Sequence, residues 1–261
     1  MIIFIHIPKT AGSSFDKLAK LQYPYSQVFN FRTHILKYDY ELFISLPDEV
    51  KSTFKYVRGH IPFSIQNNIS NDFRPNFVTI LRQPVQRMLS QYYYSRNRII
   101  ENNNLSSLTL EGFLENYYTD NIQVRMLCGS DDFKIVFGGK PVTQEHLKMA
   151  KANLIENFNF GLTEYFDESI ALLQKDLKWD IRSYPFERRT KNKKGNLSQG
   201  EYDQIRKVDQ LDGELYDFAQ DIFFMRVRKL DEREFGRRLK RIKKLKKKNF
   251  LLSSLKKLIR V

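Results

Sequence analysis

Close to the N-terminus, the run Phe4–Phe15 (FIHIPKTAGSSF) passes from apolar residues through Pro8, Lys9 and Thr10 into the small residues Ala11, Gly12, Ser13 and Ser14. A strand that turns into a helix through such residues exposes successive backbone N–H groups. The helix N-terminus adds its partial positive charge, and together they form an anion site. Lys9 supplies a full positive charge, and Thr10, Ser13 and Ser14 supply hydroxyls. A nucleotide-binding Walker A loop reads G-x-x-x-x-G-K-[ST], with its lysine directly after the second glycine. Here Lys9 precedes Gly12 by three positions and the first glycine is missing, so the usual Mg²⁺-dependent nucleotide kinase is disfavoured.

A second candidate anion site lies in TILRQPVQRMLSQYYYSR (Thr79–Arg96). Arg82 falls where a parallel strand would end, on the side where open α/β sheets bind ligands. Ser90 follows eight residues later, two turns into the next helix, so a guanidinium and a hydroxyl can address one phosphate. The four histidines, His6, His34, His60 and His146, are widely spaced, and with the single Cys128 they form no zinc-type pattern. No metal is therefore expected.

The elements that must position these residues read as alternating strands and helices. IIFIHI is a short buried-strand run, and a helix begins near Ser13 or Ser14, with Phe15, Leu18 and Leu21 at helical spacing. Residues 22–58 are rich in Tyr and Phe and resist assignment, apart from a helix at DEVKSTF and a strand KYVRGH ending at Gly59 and His60. NFVTILRQP gives the clearest second strand, and Pro84 suits the first turn of the helix that follows. Helices are expected over 109–118, 120–128 and 144–156, the last capped by Thr143, with CGSDDFKIVFGGKP as a loop between them. Phe158–Leu162 reads as a strand leading to a helix capped by Thr163. Ser198–Glu201 (SQGE) is a capping box, and the chain from about Leu211 onward is helical. The expected fold class is α/β: a P-loop-like three-layer fold whose central parallel sheet is covered by helices on both faces.

Taken together, HIPKTAGSSF and LRQPVQRMLSQYYY resemble the Golgi-type carbohydrate sulfotransferases, especially those modifying heparan sulfate at uronyl 2-O and glucosaminyl 6-O positions. NIQVRML (121–127), NFNFGLTEYF (157–166), RRTK (188–191) and LDGELYDFAQDIF (211–223) continue the resemblance in the same order, over roughly residues 2–225. The resemblance implies the donor 3′-phosphoadenosine 5′-phosphosulfate (PAPS), with Lys9, Thr10, Ala11, Gly12, Ser13 and Ser14 at its 5′-phosphosulfate. Arg82 and Ser90 are implied at its 3′-phosphate, and Thr190, with Lys191, in the loop that closes over the nucleotide. It also implies a general base, assigned to His60, beside Lys9 as the second catalytic residue. His34, Arg58 and Arg125 are candidate contacts of a carbohydrate acceptor, although helix packing is an equal alternative for Asn121, Gln123 and Arg125. His6 is expected to pack or to orient the loop. The chain departs from the family at Arg82-Gln83-Pro84, where Arg-Asp-Pro is usual; Gln83 can stand in for the Asp if that residue only orients the turn.

With 41% hydrophobic and 14% aromatic residues, the 261-residue chain is long enough for one large folded domain. The net charge of +14 is concentrated in residues 236–261, which hold twelve Lys or Arg and no acid, leaving +2 on the preceding 235 residues. A nucleic-acid partner is therefore not expected. The division expected is a sulfotransferase domain over 1–235 and a basic amphipathic tail over 236–261, whose leucines at helical spacing suit an anionic membrane surface. With no apolar run long enough to span a bilayer, no signal peptide and one cysteine, the chain looks like a minimal bacterial relative. It would be cytoplasmic or peripheral at the inner membrane. Two rival readings are a kinase with a variant phosphate loop and a non-catalytic protein that binds anionic glycans or membranes on this fold.

Overall fold

The computed structural model of the protein describes residues 1–103, 108–116, 118–184 and 198–258. Its centre is a parallel sheet of five strands in the order β2-β3-β1-β4-β5: β1 (Ile2–Ile5), β2 (Val28–Phe31), β3 (Tyr56–Gly59), β4 (Asn76–Leu81) and β5 (Phe158–Leu162). All four residues of β1 are buried. That explains why its sequence is an unbroken apolar run rather than an alternation, since both faces of a parallel sheet are covered.

The two faces separate by parity. Ile2 and Phe4 meet Phe15, Leu18 and Ala19 of α1 (Gly12–Lys20), and Ile170 and Leu173 of α9 (Phe166–Asp176). Ile3 and Ile5 belong to the opposite cluster. There the cover comes from α2 (Leu36–Ser45), α6 (Ile122–Leu127), α8 (Gln144–Glu156) and α11 (Gln210–Arg228). The three-layer α/β architecture expected from the sequence is the one observed.

Several local expectations change. The unassigned aromatic segment holds the edge strand β2 and α2, where Phe29, Phe31 and Phe43 pack edge to face and tilted. The stretch expected as a loop after Cys128 contains a short helix, α7 (Phe133–Phe137), capped by Asp132, whose carboxylate accepts from Lys134 N at 2.8 Å. Thr163 does not cap a helix: its hydroxyl donates to Leu81 O at 3.0 Å and ties β5 to β4. The Ser198–Glu201 capping box forms as expected, opening α10 (Gln199–Val208).

The boundary drawn at residue 236 does not coincide with a break in packing. A long last helix, α12 (Glu232–Leu258), lays Phe235, Leu239, Ile242 and Leu245 on the cluster shared by α1 and α9, and Ile242 is 1% exposed. Lys246 pairs with Asp167 at 3.1 Å and Arg241 with Asp180 at 3.0 Å. The apolar face of residues 235–245 is thus spent inside the protein, because it completes a core that α1 and α9 leave open.

Candidate active site

The site forms at the C-terminal edge of the sheet, where β1, β3, β4 and β5 release the chain. The order β3-β1-β4 makes this a switch point: the chain leaves β1 and returns on either side of it, which opens a crevice. Lys9 (φ 68°) and Ala11 (φ 61°) adopt left-handed backbone conformations without being glycines. Such residues are rare and cost about 1 kcal/mol or more each. Alternating hands turns the peptide N–H groups of a short loop toward one side. Ala11 is also the N-cap of α1 and offers no side-chain bond to it. Ser14 N and Phe15 N bond back to Ala11 O, and the N–H groups of Gly12 and Ser13 keep their capacity for an anion.

Around this loop the side chains divide into those that address an anion and those that hold the loop. The Thr10 hydroxyl is fully buried and donates to Ile7 O at 2.9 Å, so it braces the turn. Ser13 is exposed and Ser14 half-buried. Lys9 Nζ lies 4.2 Å from the centre of the Tyr94 ring on α4 (Pro84–Asn103). Burial first, and then the Arg82 charge, push the Lys9 ammonium below its ordinary value. An anion between the two cations would relieve both effects.

Arg82 Nη1 donates to Lys9 O at 2.9 Å. Its Nε is buried with no hydrogen-bond partner, 4.0 Å from a Glu164 oxygen. Burial is the main cause holding its guanidinium below its usual value. Ser90 is 4% exposed on α4. Gln83 does take over the turn: its side-chain oxygen accepts from Gln86 N at 2.8 Å, an N-cap bond of the kind a short Asp would make.

Two histidines complete the edge. The pairing of Phe4 with Arg58 sets His6 and His60, two residues further on each strand, side by side. Their ring centres are 4.4 Å apart. His60 Nδ1 is 2.5 Å from His6 O. A carbonyl can only accept, so Nδ1 carries the proton and Nε2 keeps the lone pair in the neutral ring. Burial pushes the His60 pKa down and the Arg58 charge adds to this, against the partial opposition of the His6 bond. His6 is buried, stacks on Phe4, and lies against the Cα of Gly12: a Cβ there would stand 2.0 Å from His6 Cδ2. Of the two alternatives expected for His6, packing is the one these contacts describe.

Two expected acceptor contacts are placed elsewhere. Arg125 is 2% exposed, and its donors are taken by Asp120 O and Oδ1 (2.6 Å each), Ile135 O (2.5 Å) and Lys140 O (2.9 Å). It staples the loops on either side of α6 and α7 and has no face toward a substrate. Arg58 pairs with Asp16 of α1 at 2.9 Å, which also holds Lys20 and the Tyr56 hydroxyl. Arg58 thereby anchors α1 to β3, because a guanidinium under a helix finds its counter-charge there. His34 is exposed on a short turn after β2. Thr190 and Lys191 lie outside the described residues. Among the described residues no group of His, Cys, Asp or Glu could hold a metal ion.

Gln123, for which the sequence left acceptor contact and helix packing open, has a role that neither alternative names. Fully buried at the start of α6, it accepts from Arg82 N and donates to Arg82 O, both at 2.9 Å. The two carboxylate oxygens of Asp212 in turn accept from Gln123 N (3.1 Å) and Val124 N (2.8 Å). Glu164 adds a second brace: it accepts from Gln83 N at 3.1 Å and from the Tyr216 hydroxyl at 2.8 Å. The motifs NIQVRML, GLTEYF and LDGELY thus meet around the backbone of Arg82. Their recurrence in order was the available signal, but not their role. With Arg82 at a 3′-phosphate, as the resemblance implies, Gln123→Ala is expected to weaken binding of 3′-phosphoadenosine 5′-phosphate (PAP) by about 5- to 10-fold, from one or two lost hydrogen bonds. AMP binding should change little, as titration calorimetry on both nucleotides would read.

Residues 2–255 match the family model described as galactose-3-O-sulfotransferase. The human heparan-sulfate 6-O-sulfotransferase 1 is 30% identical over 195 residues, covering 60% of this chain and 46% of that one. The mouse galactose-3-O-sulfotransferase 2 is 22% identical over 252 residues, covering 87% and 62%. The Drosophila melanogaster heparin sulfate O-sulfotransferase is 22% identical over 266 residues, covering 88% and 74%. A mouse sulfotransferase crystallised with PAP gives a TM-score of 0.43 at 16% identity over 79% of this chain and 62% of that one, an overlap too distant to bear on the site. The chain belongs to the galactose-3-O-sulfotransferase family. The resemblance drawn from its motifs, to carbohydrate sulfotransferases, is borne out, and galactose-specific enzymes join the heparan-sulfate ones among its relatives.

Proposed function

We propose that the protein moves a sulfuryl group from PAPS to a hydroxyl of a carbohydrate. The observation that carries this reading is the uncapped loop with left-handed Lys9 and Ala11 set directly against Arg82, which brings together two half-buried cationic groups. The family match supports it. In the proposed step the acceptor hydroxyl gives its proton to His60 Nε2 while its oxygen forms the new bond to sulfur. The bond from sulfur to the 5′-phosphate oxygen breaks, and the electron pair leaves with PAP. Negative charge grows on that phosphate, and Lys9 with the N–H groups of the loop meets it. Arg82 and Ser90 are assigned to the 3′-phosphate.

Calorimetry of PAP against AMP tests the donor assignment. PAP should bind about 10- to 150-fold more tightly, the worth of one charge-assisted hydrogen bond, and Arg82→Ala should erase most of that gap. Equal affinities would remove PAPS from the reading. Labelled PAPS offered with a panel of polysaccharides and glycolipids then reads the acceptor class. ATP bound in preference to PAP would favour the variant-loop kinase instead.

A further inference from the structure

With its apolar face docked on α1 and α9, α12 turns a second surface outward. Arg233, Arg237, Lys240, Lys244, Lys247 and Lys248 are all exposed. At 100° per residue they fall within an arc of about 100°, and at 1.5 Å per residue they span about 22 Å. Ile242 and Leu239 point the opposite way, into the core. Among the described residues none of the six lies within ion-pair distance of a carboxylate, whereas their neighbours Arg238, Arg241, Lys243 and Lys246 all do. The acid-paired cations flank the docked face, and the unpaired ones form a straight rail away from it.

We propose that this rail is a docking surface for an anionic lipid bilayer. A row of charges along the outer side of a single helix presents itself to a flat surface along its length. The 3–4 spacing of the rail continues in the sequence to Leu251, Leu255 and Leu258, residues that a bilayer interface accepts and a hydrophilic polyanion does not. The contact differs from that of an inserting amphipathic helix. The leucines expected at the membrane from residue 239 to 245 are in the core, so attachment along the rail is by charge and is sensitive to salt. The inference goes beyond the transfer chemistry and does not depend on it.

The test is sedimentation of the full chain with vesicles of phosphatidylcholine alone or mixed with phosphatidylglycerol. The protein should pellet with the mixed vesicles at low salt, be released by added salt, and ignore phosphatidylcholine. With Arg237, Lys240, Lys244 and Lys247 each changed to Gln, affinity should fall by several hundredfold, at about fivefold per charge. The unfolding midpoint should stay unchanged, since none of the four touches the core. The proposal is overturned if the unaltered chain stays in the supernatant with mixed vesicles at low salt, including the case in which it binds heparin instead. It is equally overturned if the fourfold variant pellets as well as the parent.

Discussion

His60→Ala is expected to lower kcat by about 10²- to 10⁴-fold, the usual contribution of a positioned base, while PAP affinity stays unchanged. The separation follows from geometry. His60 is held by His6 O through Nδ1, on the strand beside the anion loop, and its free nitrogen is left for an acceptor proton. Lys9→Ala should behave differently, weakening donor binding and slowing the reaction together, because in the proposed step its charge faces the phosphosulfate before and during transfer. The pH dependence has a definite sign. Burial and Arg58 hold the His60 pKa below the ordinary 6.5, so the ring is neutral at pH 7. With saturating donor, kcat should be flat around neutrality and fall only as acid protonates Nε2 through that lowered pKa. A His60→Ala variant with near-full kcat would move the base elsewhere, first to His34.

The second large effect is expected at Gly12. A methyl group there would penetrate the His6 ring, at 2.0 Å from Cδ2 and 2.2 Å from Nε2. The ring cannot swing clear, because Phe4 and His60 pack against it and His6 is 9% exposed. Gly12→Ala should therefore displace the start of α1 and abolish measurable PAP binding. The double variant Gly12→Ala, His6→Ala should recover most of it. Removing the ring makes room and keeps the His6 carbonyl that holds His60. Calorimetry on the four proteins of the cycle reads the coupling. Loss of binding in the double variant as well would show that the glycine is needed for its backbone rather than for the room it leaves.

What could be seen beforehand depended on whether a residue's partner was near in sequence or was implied by periodicity. The strand–loop–helix at the N-terminus and the strand ending at Arg82 were legible because buried parallel strands are continuous apolar runs punctuated by Pro and Gly. The edge strand β2 was not, since Val28, Phe29 and Asn30 are only half-buried and four residues carry little pattern. For Arg125 the sequence left acceptor contact and helix packing equally open, because a polar helix face looks the same whether it meets solvent or backbone carbonyls, and its acceptors Ile135 O and Lys140 O leave no trace in side-chain types. Arg58 failed in the same way, its partner Asp16 lying on a different element. In α12 the apolar period at Leu239, Ile242 and Leu245 was visible, but period alone does not say whether a protein core or a bilayer covers it.

The bracing of Arg82 also bears on how the protein is made. The loop after β1 and the strand that carries Arg82 leave the ribosome before Gln123 and Asp212 do. Yet the backbone of Arg82 is clamped by Gln123, and the helix bearing Gln123 is fixed by Asp212. A nascent chain that has exposed Lys9, Arg82 and Ser90 lacks the parts that hold them in register. It acquires those parts only once Asp212, 130 residues after Arg82, has emerged. A donor held as proposed, through Arg82, therefore cannot draw folding forward on the growing chain by mass action, because a ligand stabilises only a state that already binds it.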